Sequence, residues 1–330
     1  MKILEEKNNC PRMVNLSLLQ SNMSDVSIPS NKLVEYARLT LILLIILGYC
    51  FFTCFITMIL NVFFMTSHLR DNTRYVLFVY MLVNDTYFLY SGLYFLLGSL
   101  YELHVPVPLC FFLYTLSTVA FKVTPYSLAA MAVEQYVAIC HPLRRVELCT
   151  TYRAHVTFAM IFTWLAIPCA IELCFMFSSM TNIFNLHIIC RQNLLVVSPI
   201  QFVIRSITLV LCFSIVGLVI FITYVKIMLV AHRLSSGSSS ASKAGKTVML
   251  HAFQLLLCMG SLLSNLTESF QMKQAELQPL INFFIFTCLP RLLSPMIYGF
   301  RDEALRKYMK SSLARFVHNF NGRNEGWVFR

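Results

Sequence analysis

Residues 39–65 read LTLILLIILGYCFFTCFITMILNVFFM and carry no charged side chain. An α-helix rises 1.5 Å per residue, so about 20 apolar residues cross the roughly 30 Å hydrocarbon layer of a bilayer. This stretch exceeds that length without a break. Working outward from it, six further apolar runs fall near 75–100, 109–140, 155–178, 198–231, 247–270 and 280–300. The runs are continuously apolar and do not alternate with period two, which favours helices over a barrel. The expected fold is an all-α integral membrane protein: a seven-transmembrane helix bundle over 39–300, preceded by a tail at 1–38 and followed by a tail at 301–330.

Composition agrees. Of 330 residues, 58% are hydrophobic and 12% charged, whereas soluble domains run nearer half apolar and about a quarter charged. The formal net charge of +11 raises the question of nucleic acid. Basic residues here sit in short segments between apolar runs and make no continuous patch interleaved with aromatics, so no nucleic-acid partner is expected. The partner implied is the lipid bilayer.

Counting Lys and Arg between the runs orients the chain. One side holds Arg70, Arg74, Arg144, Arg145, Arg153, Lys226, Arg233, Lys243 and Lys246, and the tail adds Arg301, Arg306, Lys307, Lys310, Arg315, Arg323 and Arg330. The opposite loops hold Arg191 and Lys273. The basic side is therefore expected in the cytoplasm and the N-terminus outside, in a multi-pass protein of the plasma membrane. Glu5 and Glu6 and the lack of a compact apolar core argue against a cleavable signal peptide, so the first run would start insertion. Asn15-Leu16-Ser17 and Asn22-Met23-Ser24 are glycosylation sequons in the expected extracellular tail. Asn84-Asp85-Thr86 also fits, but inside a span.

Most of the 12 cysteines lie within apolar runs, where the thiol acts as a small buried hydrophobe. Cys10, Cys110 and Cys190 fall on the expected outer, oxidising side. A disulfide between Cys110 and Cys190 would tie the loop before the fifth run over the bundle. No Cys or His spacing suggests a metal, and no cofactor is expected. The loop 235–242 is Ser-rich and reads as a polar spacer. After Phe300, the residues Leu305, Tyr308, Met309, Leu313 and Phe316 recur at helical spacing between basic side chains, which suits a short amphipathic eighth helix on an anionic leaflet.

The third run ends Met131-Ala132-Val133-Glu134-Gln135-Tyr136-Val137-Ala138-Ile139-Cys140, followed by His141-Pro142-Leu143-Arg144. This resembles the MAxDRYVAICxPLxY signature of odorant receptors, in the rhodopsin-like G-protein-coupled class. The seventh run ends Pro290-Arg291-Leu292-Leu293-Ser294-Pro295-Met296-Ile297-Tyr298-Gly299-Phe300-Arg301, similar to the family's PxxNPxIYxxR ending. Asn61, Asp85, Trp164 and Tyr224 fit further family positions, and Ser242-Lys243-Ala244 with Thr247 and His251 resembles its KAxxTCxSH stretch. The wording around Arg74–Phe78 and Asn84-Asp85 looks most like fish-type receptors. The resemblance implies a small odorant bound within the bundle and a heterotrimeric G protein of the olfactory stimulatory type, read out as cyclic AMP. It also implies activation roles for Glu134, Gln135, Tyr136, Tyr224, Ser294, Pro295 and Tyr298, and a sodium-and-water site at Asn61 and Asp85; the other reading of these two residues with Ser294 is a structural hydrogen-bond knot between helices. Two positions depart from the family pattern. Gln135 stands where the motif has Arg and lacks its charge and planar fork; Ser294 stands where the motif has Asn.

Charges at membrane depth are costly and face the interior or a partner. Asp85 should do so. Lys122 lies about 18 Å of helix beyond Cys110, near the middle of the third span, with Tyr114, Thr118 and Phe121 as neighbours. Arg205 enters the fifth span from its outer end. Two cations on one cavity would favour an anionic ligand through charge-assisted hydrogen bonds. The alternative account pairs Lys122 with Glu172 or Asp85 and lets Arg205 snorkel outward. Phe121, Phe283 and Phe286 are the rings expected on the cavity. A non-olfactory chemoreceptor is the nearest rival within the class. A transporter would tend to show repeated halves, and none is visible; no catalytic spacing suggests an enzyme.

Overall fold

The structure is a computed structural model that describes residues 16–141, 143–144, 149–179, 187–190, 199–233, 248–250, 252–257, 259–260, 277–301 and 305–311. Helix α1 spans Leu16–Met65, α2 Ser67–Arg70, α3 Thr73–Leu100, α4 Val107–Cys140, α5 Thr151–Ser179 and α6 Pro199–Arg233. A shorter apolar helix, α7, covers Val248–Leu257. The last span comprises α8 (Gln278–Asn282), a π-helical turn at Phe283–Cys288 and α9 (Leu289–Arg301). Five of these helices contain stretches long and apolar enough to cross a membrane: Lys32–Met65, Thr73–Leu100, Val107–Cys140, Thr151–Cys174 and Ser206–Val230. Val248–Leu257 and Leu280–Leu293 supply the shorter sixth and seventh apolar segments. The helical bundle read from the sequence is the fold observed.

Because α1 starts at Leu16, the helix extends into the stretch expected as a tail, and Asn22 lies within it. Asn15 lies outside the described residues, as do Cys10 and the Ser-rich loop.

At the centre stands α4, packed against α3, α5 and α6. It is buried on nearly every side through its middle, from Val119 to Glu134. The outer helices divide into two faces. On α6, Phe213, Val216, Ile220, Thr223 and Ile227 are buried at steps of three or four, while Leu211, Ile215, Leu218, Val225 and Leu229 are exposed. On α5, Met160, Trp164 and Ile171 point outward, onto what would be lipid. Pro125 and Pro168 lie inside α4 and α5; membrane helices tolerate this because neighbouring groups re-satisfy the freed backbone.

Polar contacts fix the neighbours. Tyr49 donates to the Leu89 carbonyl at 2.6 Å, tying α1 to α3. The Tyr80 ring stacks on Phe158 and its hydroxyl lies 2.7 Å from His155 Nδ1, tying α3 to α5. Just before α4, β1 (His104–Pro106) pairs antiparallel with β2 (His187–Ile189). The Cys110–Cys190 disulfide, expected from the sequence, closes beside this two-stranded ladder. After α9, the segment 305–311 is helical and buries Leu305 and Met309 while Arg306, Lys307 and Lys310 stay exposed. That is the amphipathic pattern expected of the eighth helix. Leu313 and Phe316 lie outside the described residues.

Candidate functional site

Four buried polar residues of the spans meet in one hydrogen-bonded group. Asn84 and Asp85 come from α3, Thr124 from α4 and Arg291 from α9. Asn84 Nδ2 donates to the Ala120 carbonyl at 2.8 Å and to Thr124 Oγ1 at 3.2 Å. Thr124 in turn donates to Asp85 Oδ1 at 2.6 Å. The same carboxylate oxygen receives Arg291 Nε at 3.3 Å. Asp85 is 1% exposed and Arg291 2%, so both charges are out of water. The guanidinium carbon stands 3.7 Å from the centre of the Phe88 ring and 5.6 Å from that of Phe121. A planar, weakly hydrated cation against ring faces gains quadrupole attraction and loses little hydration. An ion pair in low dielectric persists only when such contacts offset desolvation. Asn84 is buried and hydrogen-bonded within this knot, which keeps the Asn84-Asp85-Thr86 sequon out of reach.

Two expectations are corrected here. Asn61, expected beside Asp85, is exposed on α1 and is not among the partners of that carboxylate. Asp85, offered as a structural partner for Lys122, is held by Arg291 instead. Arg291 itself was not singled out from the sequence, although the signal was present: it is a lone cation inside the seventh apolar run.

Above the knot lies Phe121, half-buried, with its ring centre 5.7 Å from Phe88 of α3 and 6.1 Å from Phe213 of α6. Lys122 is 9% exposed, buried in the middle of α4. Thr118 is half-buried and its hydroxyl is used within its own helix, donating to the Tyr114 carbonyl at 3.0 Å. Phe283 and Phe286 occupy the π-helical turn. A Cβ added to Gly92 of α3 would come within 2.9 Å of the Phe283 ring, and one at Gly260 within 3.0 Å of Phe286. Phe283 therefore abuts α3 and Phe286 abuts the Gly260 backbone. The Arg205 side chain lies outside the described residues, so its convergence with Lys122 is not part of this geometry.

The close approach at Gly92 leads to a prediction. Gly92→Val should force the Phe283 ring aside and destabilise the protein by about 1–3 kcal/mol, the usual range for overpacking. Gly98→Ala, on the same helix with open space around it, should be neutral. Thermal unfolding of the two purified variants would check this; equal midpoints would mean that the Gly92–Phe283 contact is unimportant.

Near the C-terminal end of α4, Glu134 is buried and lines a cleft of about 210 Å³ together with His68, Asp71, Asn72, Thr73 and Cys149. Thr73 donates to the Cys149 carbonyl at 2.7 Å, holding the loop after α4 against the start of α3. The Asn72 side chain caps α3 by accepting from the Arg74 amide at 3.1 Å. Gln135 is half-buried. The Tyr136 hydroxyl lies 3.3 Å from His141 Nε2, and Lys226 of α6 stands 5.5 Å over the Tyr136 ring. Tyr224 packs on the main core from α6. Pro295 is buried inside α9. Ser294 and Tyr298 are helical positions of α9 whose side chains lie outside the described residues.

Residues 57–298 match the family described as 7 transmembrane receptor (rhodopsin family). The chain is 29% identical to "Odorant receptor 131-2" of Danio rerio over 257 residues, covering 75% of this chain and 78% of that relative. It is also 29% identical to "Olfactory receptor 14I1" of Homo sapiens over 204 residues, and to "Olfactory receptor 2T10" of Homo sapiens over 201. These matches span 60% and 62% of the two human relatives' length.

Proposed function

We propose that this chain, which belongs to the rhodopsin family of seven-transmembrane receptors, is an odorant receptor for a small anionic ligand. The family is a class of receptors rather than enzymes, and an odorant-type receptor is the reading its relatives' names favour. The observation that carries the anionic ligand is Lys122: a buried cation next in sequence to Phe121, whose ring meets Phe88 of α3, Phe213 of α6 and Arg291 of α9.

In this reading the ligand enters from the outer side, between α4, α6, α7 and the last span. Thr118, Phe121, Phe283 and Phe286 supply apolar burial and orientation, and Lys122 and Arg205 bind the ligand's negative charge. Binding favours one of two packings of the bundle and so shifts its population. The inner ends of α4, α6 and α9, with Glu134, Gln135, Tyr136, Tyr224, Ser294, Pro295 and Tyr298, then engage a stimulatory heterotrimeric G protein that raises cyclic AMP. The excess of Lys and Arg on one side supports a plasma-membrane receptor with its N-terminus outside, glycosylated at Asn15 and Asn22, and its C-terminus in the cytoplasm.

The test is cyclic AMP output from cells bearing surface-verified receptor, challenged with matched acidic, neutral and amine odorants. Lys122→Ala should raise the half-maximal concentration for acids at least tenfold, the loss of one charge-assisted contact of about 1.5–3 kcal/mol, with surface receptor unchanged. Neutral-ligand responses that survive Lys122→Ala in a receptor deaf to acids would make Lys122 structural. Gln135→Arg, run in parallel, should increase maximal output by restoring the guanidinium fork at the G-protein face.

A further inference from the structure

The resemblance to rhodopsin-like receptors assigns a sodium ion to the carboxylate of the second span, and the residues around Asp85 do not fit one. A sodium ion needs several convergent oxygen donors and a net negative field. Here Asp85 Oδ1 already accepts from Thr124 at 2.6 Å and from Arg291 at 3.3 Å. Arg291 neutralises the carboxylate, so a second cation at this depth would meet a positive charge and find no net negative one. The guanidinium cannot be deprotonated in a protein, and it is held in place by the Phe88 ring at 3.7 Å and the Phe121 ring at 5.6 Å. Asn61, which would supply an oxygen from α1, is exposed instead.

We propose that Arg291 is a built-in counter-ion that replaces sodium at Asp85, making the conformational equilibrium of this receptor independent of sodium. The chain carries its cation covalently, at an effective concentration that no change in salt alters. The four residues concerned are Asp85, Thr124, Phe88 and Arg291, drawn from α3, α4 and α9.

The experiment uses the full-length receptor purified in detergent, in mildly alkaline buffer, with thermal unfolding recorded in sodium chloride and in choline chloride at equal ionic strength. It requires neither an odorant nor a G protein, so its outcome is separate from that of the proposed function. Wild type should unfold at the same temperature in both salts, and so should Arg291→Lys, which keeps a tethered cation. Arg291→Gln should gain a sodium-specific rise of a few degrees, because an ion that binds only the native state stabilises it. That rise should vanish in Arg291→Gln with Asp85→Asn. A wild-type midpoint that rises with sodium and not choline, and loses this response in Asp85→Asn, would overturn the proposal without any Arg291 variant having to fold. An Arg291→Gln receptor that folds but ignores sodium would overturn it as well.

Discussion

Asp85→Ala, with Arg291 kept, should remove most of the receptor from the cell surface. The substitution leaves a guanidinium 2% exposed without the carboxylate that now faces it at 3.3 Å. Breaking one side of a buried pair costs about 3–5 kcal/mol, because the remaining charge stays desolvated. That is a large share of the roughly 5–15 kcal/mol that holds a typical fold together. The asymmetry of the two partners sharpens the expectation. A carboxyl can shed its charge by taking a proton, whereas a guanidinium stays protonated. Asp85→Ala should therefore be worse than Arg291→Gln. Asp85→Leu combined with Arg291→Met removes both charges and keeps apolar volume, and should recover most surface receptor. Flow cytometry of an N-terminally tagged receptor would measure all of these. Wild-type surface levels for Asp85→Ala would mean that the pair contributes nothing to the fold.

Loss of the Cys110–Cys190 disulfide should be comparably severe. Cys110 and Cys190 are 80 residues apart in sequence, and closing a loop of that length lowers the denatured chain's entropy by an amount worth about 4.5 kcal/mol. Helices already inserted in a bilayer are not a free chain, so the lower end of the measured range, about 2 kcal/mol, is the firmer expectation. The bond also aligns β2 with β1 through His104–Ile189, Val105–Ile188 and Pro106–His187, and this short ladder would fray without it. Cys110→Ser and Cys190→Ser should each cut surface receptor strongly. The double variant should be no worse than either, since the two residues form one interaction. An additive loss would point to separate roles for the two cysteines.

How much of this was legible beforehand follows from the physics of each feature. A span must satisfy its backbone hydrogen bonds internally, so long apolar runs such as 39–65 declare helices by length alone. Asp85 was readable as interior because a charge facing lipid is costly. Cys110 and Cys190 were readable as a pair because few cysteines fall on the side that the Lys and Arg count predicts to be oxidising. The amphipathic segment bearing Leu305, Tyr308 and Met309 was readable because water covers one of its faces. Arg291 falls under the same rule as Asp85 and Lys122, being the lone cation of the seventh apolar run.

The facing of each helix was not legible. Phe213, Val216 and Ile220 are buried while Leu211, Ile215 and Leu218 are exposed, and a bilayer makes those two stripes chemically alike. Hydrophobic pattern distinguishes water from protein, but not lipid from protein. The amino-acid sequence by itself thus determined the number of spans, their apolar character, the disulfide and the presence of charges that need interior partners. Only the tertiary structure decided which partners those are: Arg291 reaches Asp85 across 206 residues of chain, Asn61 is exposed on α1, and Lys122 is buried in α4. Each of these depends on how neighbouring helices are rotated, and that rotation is set by packing between side chains distant in sequence.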